Sequence, residues 1–149
     1  MRVRGFEIVS EWEGKHIHLP ERKTQKSAGY DIEAAAAADL LPGKITVVPT
    51  GLKAYMPDDE YLAIFVRSGM AIKRGIMLVN GTGIIDADYY GNADNEGHIM
   101  VALYNTGAET IRIEKGDRIA QGIFASYEKV DGDCAQGTRS GGIGSTGAR

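Results

Sequence analysis

The chain has little besides its own packing to hold it together. One of its 149 residues is a cysteine, Cys134, so no intrachain disulfide can form. That suits a reducing compartment, and the cytoplasm is the expected location. No apolar run approaches the length needed to cross a bilayer, and Met1 to Gly5 leads into no signal-peptide core, so no membrane association is expected. An excess of charge is also missing. The net charge of −3 gives no electrostatic reason to bind nucleic acid, and any phosphate site must be a local basic cluster. Metal ligands are scarce: His16 and His18 share strand parity, but no third or fourth ligand follows at useful spacing, so both read as surface residues. Glycine is abundant instead, with 20 residues, about twice the usual share. That means many turns and few long helices. The length suits one domain with a real core.

Short apolar runs separated by turn residues dominate the chain. Strands are expected at residues 5–10, 44–48, 52–56, 61–66, 76–79, 98–105, 109–113 and 118–124, which indicates an all-β domain. Propensity alone places a short helix over residues 31–40, because Ala34 to Ala38 are five alanines. The run 61–66 is apolar throughout, the pattern of a strand buried on both faces, yet it delivers Arg67 and Ser68 at its end. Arginine gives up its water for a partner, and a surface salt bridge is the plainer alternative. In the run 118–124 simple alternation puts Gln121 in line with Ile119 and Ile123, and a buried amide there must find partners.

The stretch 78–91 carries the densest chemistry. Gly81 and Gly83 follow Asn80, and Ile85, Asp86 and Tyr89 come just after. A β-hairpin with bare backbone at its tip is expected, with Asn80 on one limb and Asp86 and Tyr89 on the other. An amide, peptide groups, a carboxylate and a phenol would then converge, a set able to read a planar hydrogen-bonding ring and activate a water. A glycine-rich turn with a solvated acid is the bland alternative. The C-terminal residues 139–149 combine two arginines, two serines, a threonine and many backbone N–H groups, which is phosphate-cradling chemistry without a P-loop. The same composition also suits a floppy tail, and a tail that orders over a ligand reconciles the two.

Five stretches now stand in a fixed order: Ala28-Gly29-Tyr30-Asp31, Arg67-Ser68-Gly69-Met70-Ala71 with Gly75-Ile76, Gly83-Ile84-Ile85-Asp86-Ala87-Asp88-Tyr89-Tyr90-Gly91, Gly116-Asp117-Arg118-Ile119-Ala120-Gln121, and Arg139-Ser140-Gly141-Gly142-Ile143-Gly144-Ser145-Thr146-Gly147. Together they resemble the five motifs of the trimeric deoxyuridine triphosphate nucleotidohydrolases (dUTPases). The resemblance implies a distorted jelly-roll (β-clip) barrel over residues 1–138 and a flexible tail over 139–149 that closes a neighbouring active site in a homotrimer. It also turns the alanine run into strand or extended chain. The implied reaction is dUTP and water to dUMP and pyrophosphate, keeping uracil out of DNA and supplying dUMP for dTMP synthesis. Mg²⁺ would be held by the triphosphate and waters, with no direct protein ligand.

The resemblance also implies residue roles. Asp86 would activate the water and hold the sugar 3′-hydroxyl, and Gln121 would help position that water. Asn80 and the backbone of Gly83 and Ile85 would read the uracil edge, and Tyr89 would pack under the deoxyribose. Arg67, Ser68 and Gly69 would hold the α/β phosphates. Arg139, Gly144, Ser145 and Thr146 would close over the β/γ phosphates, and Asp31 and Arg118 would support the site. Ile143 stands where the family usually has an aromatic, so weaker clamping of the base is expected, of order 0.5–1.5 kcal/mol. The loop 92–97 is longer than the usual link after the third motif. Two rivals remain: a dCTP deaminase, which shares the fold but needs a base-facing glutamate, and a non-catalytic binding module with a protein partner. Some family members, notably phage ones, bind regulators, so a regulatory partner is expected if the source is a phage.

Overall fold

The run of five alanines does not form the helix its propensity favours. In the computed structural model, which describes residues 1–139, 141 and 142, it bends at Ala35 and Ala36 and enters a strand at Ala38. Its backbone groups are claimed by distant segments: Ala34 N–H donates to the Asp117 carbonyl and Ala35 N–H to the Pro49 carbonyl, both at 2.8 Å, and the Ala34 carbonyl accepts from Gly116 N–H at 2.9 Å. A two-turn helix offers too little on its own to compete with these long-range bonds.

Among the described residues eleven strands follow in chain order: β1 (Gly5–Ile8), β2 (Tyr30–Glu33), β3 (Ala38–Leu40), β4 (Ile45–Pro49), β5 (Leu52–Tyr55), β6 (Glu60–Val66), β7 (Ile76–Leu78), β8 (Gly83–Asp86), β9 (Met100–Asn105), β10 (Ile111–Ile113) and β11 (Arg118–Ser126). Among the described residues helix is confined to single turns at Ser10–Trp12, Gly69–Lys73 and Ala87–Tyr89. All strand pairs are antiparallel. Two larger sheets, β2-β11-β6-β8 and β4-β9-β7, are joined by the two-stranded pairs β1-β5 and β10-β3. This is a jelly-roll barrel. Its core is one cluster between the sheets, including Ile32, Leu62 and Ile64 on one side and Val48, Val101 and Leu103 on the other.

Two expectations are corrected by the register. First, the run 76–91 is not a β-hairpin. β7 pairs with β9, whereas β8 pairs with β6, so the turn between them carries the chain from one sheet to the other. Gly81 takes φ +73° there, a conformation glycine adopts without strain. Second, Gln121 does not share a face with Ile119. Arg118 pairs with Glu33 and Ala120 with Ile32, so Ile119 is an extra residue on β11. This β-bulge resets the alternation. Ile119 and Ala120 are both fully buried, while Arg118 and Gln121 both face outward beside Glu33 and Asp31.

Candidate functional site

The outer face of the sheet β2-β11-β6-β8 carries two polar clusters at opposite corners. The first is built on Asp31, which β2 presents beside Gln121 of β11. Its side chain is only 13% exposed and lies between two guanidinium groups, Arg67 Nε at 3.1 Å and Arg118 Nη1 at 3.6 Å. Arg67 stands just past the end of β6, where Ser68 and Gly69 are exposed at the start of a π-helical turn. Such turns are found frequently at functional sites. Gln121 lies over Gly29: a Cβ on Gly29 would fall 2.3 Å from Gln121 Oε1 and 3.2 Å from its Cβ. The glycine of the first motif therefore makes room for the amide of the fourth. A cleft beside this corner is lined by His18, Glu21, Lys23, Asp31, Glu33 and Arg118.

The second cluster surrounds Asp86, the last residue of β8. Its carboxylate is exposed, and Arg139 Nη2 reaches it at 2.5 Å. The same guanidinium donates through Nε to Asp88 at 2.8 Å, and the side chain of Arg139 is itself only 13% exposed. The hydrogen bond from Arg139 to Asp88, followed by attraction to both acids, holds its pKa above the ordinary arginine value. Its guanidinium carbon lies 5.8 Å from the centre of the Tyr89 ring. Tyr89 is buried, and its hydroxyl donates to the His98 carbonyl at 2.7 Å. Asn80 is exposed at the turn before β8. Gly83 packs on Ile64, and Ile85 packs against the core.

The two corners do not meet within one chain. Asp86 is paired with Tyr61 of β6, and Gln121 with Phe65 of the same strand. Four residues along and two strands across is roughly 16 Å, and Arg67 is about 20 Å from Asp86 along β6. The expected groups are thus brought together as Asp31, Arg67, Arg118 and Gln121 on one side and Asp86, Tyr89 and Arg139 on the other. Ile143, Gly144, Ser145 and Thr146 lie outside the described residues. Sequence reasoning missed Asp88 as the second partner of Arg139, and missed Asn95, whose amide donates to the Tyr89 hydroxyl at 2.8 Å. Asp88 shares a motif with Asp86 and could have been singled out. Nothing in the polar loop 92–97 distinguished Asn95.

A profile of the dUTPase family matches residues 15–147 of the chain. The chain belongs to the dUTPase family. The deoxyuridine 5′-triphosphate nucleotidohydrolase of Lactococcus lactis subsp. lactis is 48% identical over 150 residues, covering 99% of this chain and 100% of its own. The crystal structure of the dUTPase from Streptococcus mutans superposes with a TM-score of 0.81 at 41% identity, over 86% of this chain and 99% of that one. The dUTPase from phage phi11 of S. aureus, 22% identical, has a TM-score of 0.73 over 93% of this chain and 99% of its own, a likeness of fold. Among the described residues no three His, Cys, Asp or Glu side chains converge as a metal cage, and no helix of the described chain is long and apolar enough to cross a membrane.

Proposed function

We propose that this protein hydrolyses dUTP to dUMP and pyrophosphate, at sites assembled between copies of the chain in a homotrimer. The observation that carries the reading is the split just described: Asp86 and Gln121 lie on one face of one sheet, roughly 16 Å apart, too far for the two to hold one water within a single chain. A second copy that sets its Asp86 corner against the Asp31 corner of the first would complete the constellation. The outer face of the sheet β4-β9-β7 supports association, since Ile45, Val47, Met77 and Met100 are all exposed on it; contiguous apolar surface of this kind usually marks an interface.

In the assembled site Asp86 takes a proton from a water that Gln121 orients. The water oxygen bonds to the α-phosphorus, and the bond from that phosphorus to the bridging oxygen breaks, releasing pyrophosphate. A positioned carboxylate in this role is worth about 10²–10⁴ in rate. Arg67, Ser68 and Gly69 bind the α/β phosphates, with Asp31 holding Arg67 and Arg118 in place. Asn80 and the backbone of Gly83 and Ile85 read the uracil edge, and Tyr89 packs under the deoxyribose. Arg139 moves from Asp86 to the β/γ phosphates as the tail, 139–149, closes with Gly144, Ser145 and Thr146, and Ile143 covers the base. Mg²⁺ would arrive with the triphosphate, held by its oxygens and waters, and would neutralise phosphate charge there. The reading places the product upstream of dTMP synthesis and the enzyme in the cytoplasm.

The test is product analysis of dUTP, dCTP, dTTP and UTP with the pure protein and Mg²⁺. Release of dUMP and pyrophosphate from dUTP alone supports the reading; ammonia from dCTP or an inert dUTP refutes it. The shared site is tested by refolding Asp86→Asn and Gln121→Ala chains together. Mixed assemblies should regain activity that neither parent has. Light scattering that shows a monomer would undo the shared site.

A further inference from the structure

The loop 92–97 is built around Tyr89. The Tyr89 hydroxyl donates to the His98 carbonyl at 2.7 Å and accepts from Asn95 Nδ2 at 2.8 Å. Asn95 is itself held in place: its Oδ1 accepts from Gly97 N–H and from Asn92 Nδ2, each at 3.0 Å. Its backbone carbonyl accepts from His98 N–H at 3.0 Å. The far side of the loop is tied down by Glu96, which accepts from Lys53 Nζ at 2.8 Å and from Ser10 N–H at 3.2 Å. Gly97 closes the loop with φ +88°, and a Cβ there would fall 2.3 Å from the Tyr89 carbonyl oxygen. Gly142 of the tail rests on the same pair, its ideal Cβ position 3.5 Å from Tyr89 Cε1 and 3.6 Å from Asn95 Nδ2.

We infer that Asn95 is a positioning residue which, through the Tyr89 hydroxyl, fixes the ring beneath the sugar and sets the preference for 2′-deoxyribose over ribose. This rests on the dUTP reading above. An apolar wall rejects an added hydroxyl only weakly, about 10²-fold, because the wall can yield. A ring pinned at its hydroxyl by two partners, on a loop anchored at Glu96 and Gly97, has no easy retreat. Asn95 supplies the partner that can be removed without touching the ring.

The experiment compares kcat/KM for dUTP and UTP in the wild type, Asn95→Ala, Asn95→Asp, Tyr89→Phe and the double variant Asn95→Ala/Tyr89→Phe. Asn95→Asp keeps the acceptor for Gly97 and Asn92 but cannot donate to Tyr89. The dUTP:UTP ratio is expected to fall about tenfold in both Asn95 variants, the scale of one hydrogen bond. Asn95→Ala is expected to add nothing further once the Tyr89 hydroxyl is gone. An unchanged ratio, or equal losses on both nucleotides, overturns the inference. So does an effect of Asn95→Ala that persists at full size in the Tyr89→Phe background. If Asn95→Ala does not fold, Asn95→Asp alone decides by the same ratio. A wild type inert toward dUTP would instead refute the dUTP reading.

Discussion

Asp31 and Asp86 stand at opposite corners of one sheet face, each paired with arginine, and the two pairings are built differently. Asp31 is the shielded partner, 13% exposed, and the arginines around it, at 33% and 42%, are more open. At Asp86 the arrangement is reversed: the acid is 55% exposed and Arg139 is 13% exposed. Asp31 and Arg118 belong to paired strands and Arg67 to the end of a third, whereas Arg139 comes from beyond the last strand. A shielded acid between two framework arginines serves as a brace, whereas an open acid held by a tail arginine can be released. Asp86 and Asp88 are both more than half exposed, so solvent weakens their hold on Arg139, and under the proposed reading a polyanionic substrate would draw it away.

The comparison breaks most sharply at Asp86. Asp86→Asn should lower kcat about 10³-fold while moving the thermal midpoint by no more than about 2 °C, because Arg139 keeps Asp88. A large loss of stability would make Asp86 a second brace. Asp31→Ala should do the reverse in proportion: kcat/KM for dUTP falls about 10–100-fold, with the midpoint down about 3–8 °C as two guanidinium groups lose their shared partner. Calorimetry beside the assay checks both. Gly29→Ala is expected to cost about tenfold in kcat by displacing Gln121, with dUTP affinity kept; an unchanged kcat would remove Gln121 from the water's environment.

The smallest effect concerns pH. Burial pushes His98 below its ordinary value of 6.5, against the opposing pull of Glu11 and Glu96. Its neutral Nε2 accepts from Gly51 N–H at 2.9 Å. With the folded pKa depressed, the unfolded chain binds the proton more readily. Stability from this group is complete above about pH 6.5 and is lost as pH falls through the lower folded value. The thermal midpoint should therefore decline between pH 7 and 5, and His98→Gln should flatten that slope.

Much of this was legible in the chain. Turn residues and alternation placed most strands within a residue or two, and the motif acids and arginines sit in two compact groups. Three things were not legible. The alanines were misread because local propensity carries no record of the Asp117 and Pro49 carbonyls that bond them. The stretch 78–91 looked like a hairpin because proximity in sequence says nothing about which sheet a strand joins. Asn95 went unnoticed because one amide in a polar loop carries no sign of the phenol it holds.

The extra residue at Ile119 has a further consequence. Arg118 and Gln121 are three positions apart, an odd interval that a regular strand would split between core and surface. The bulge acts as a phase shifter, allowing one strand to show both to the same partner acid. Deleting Ile119 would leave Arg118 and Gln121 two positions apart on a regular strand, still opposite Glu33 and Asp31, so its cost would fall on the core that loses a fully buried side chain; straightening the bulge with Ile119 kept would instead turn one of the two residues inward.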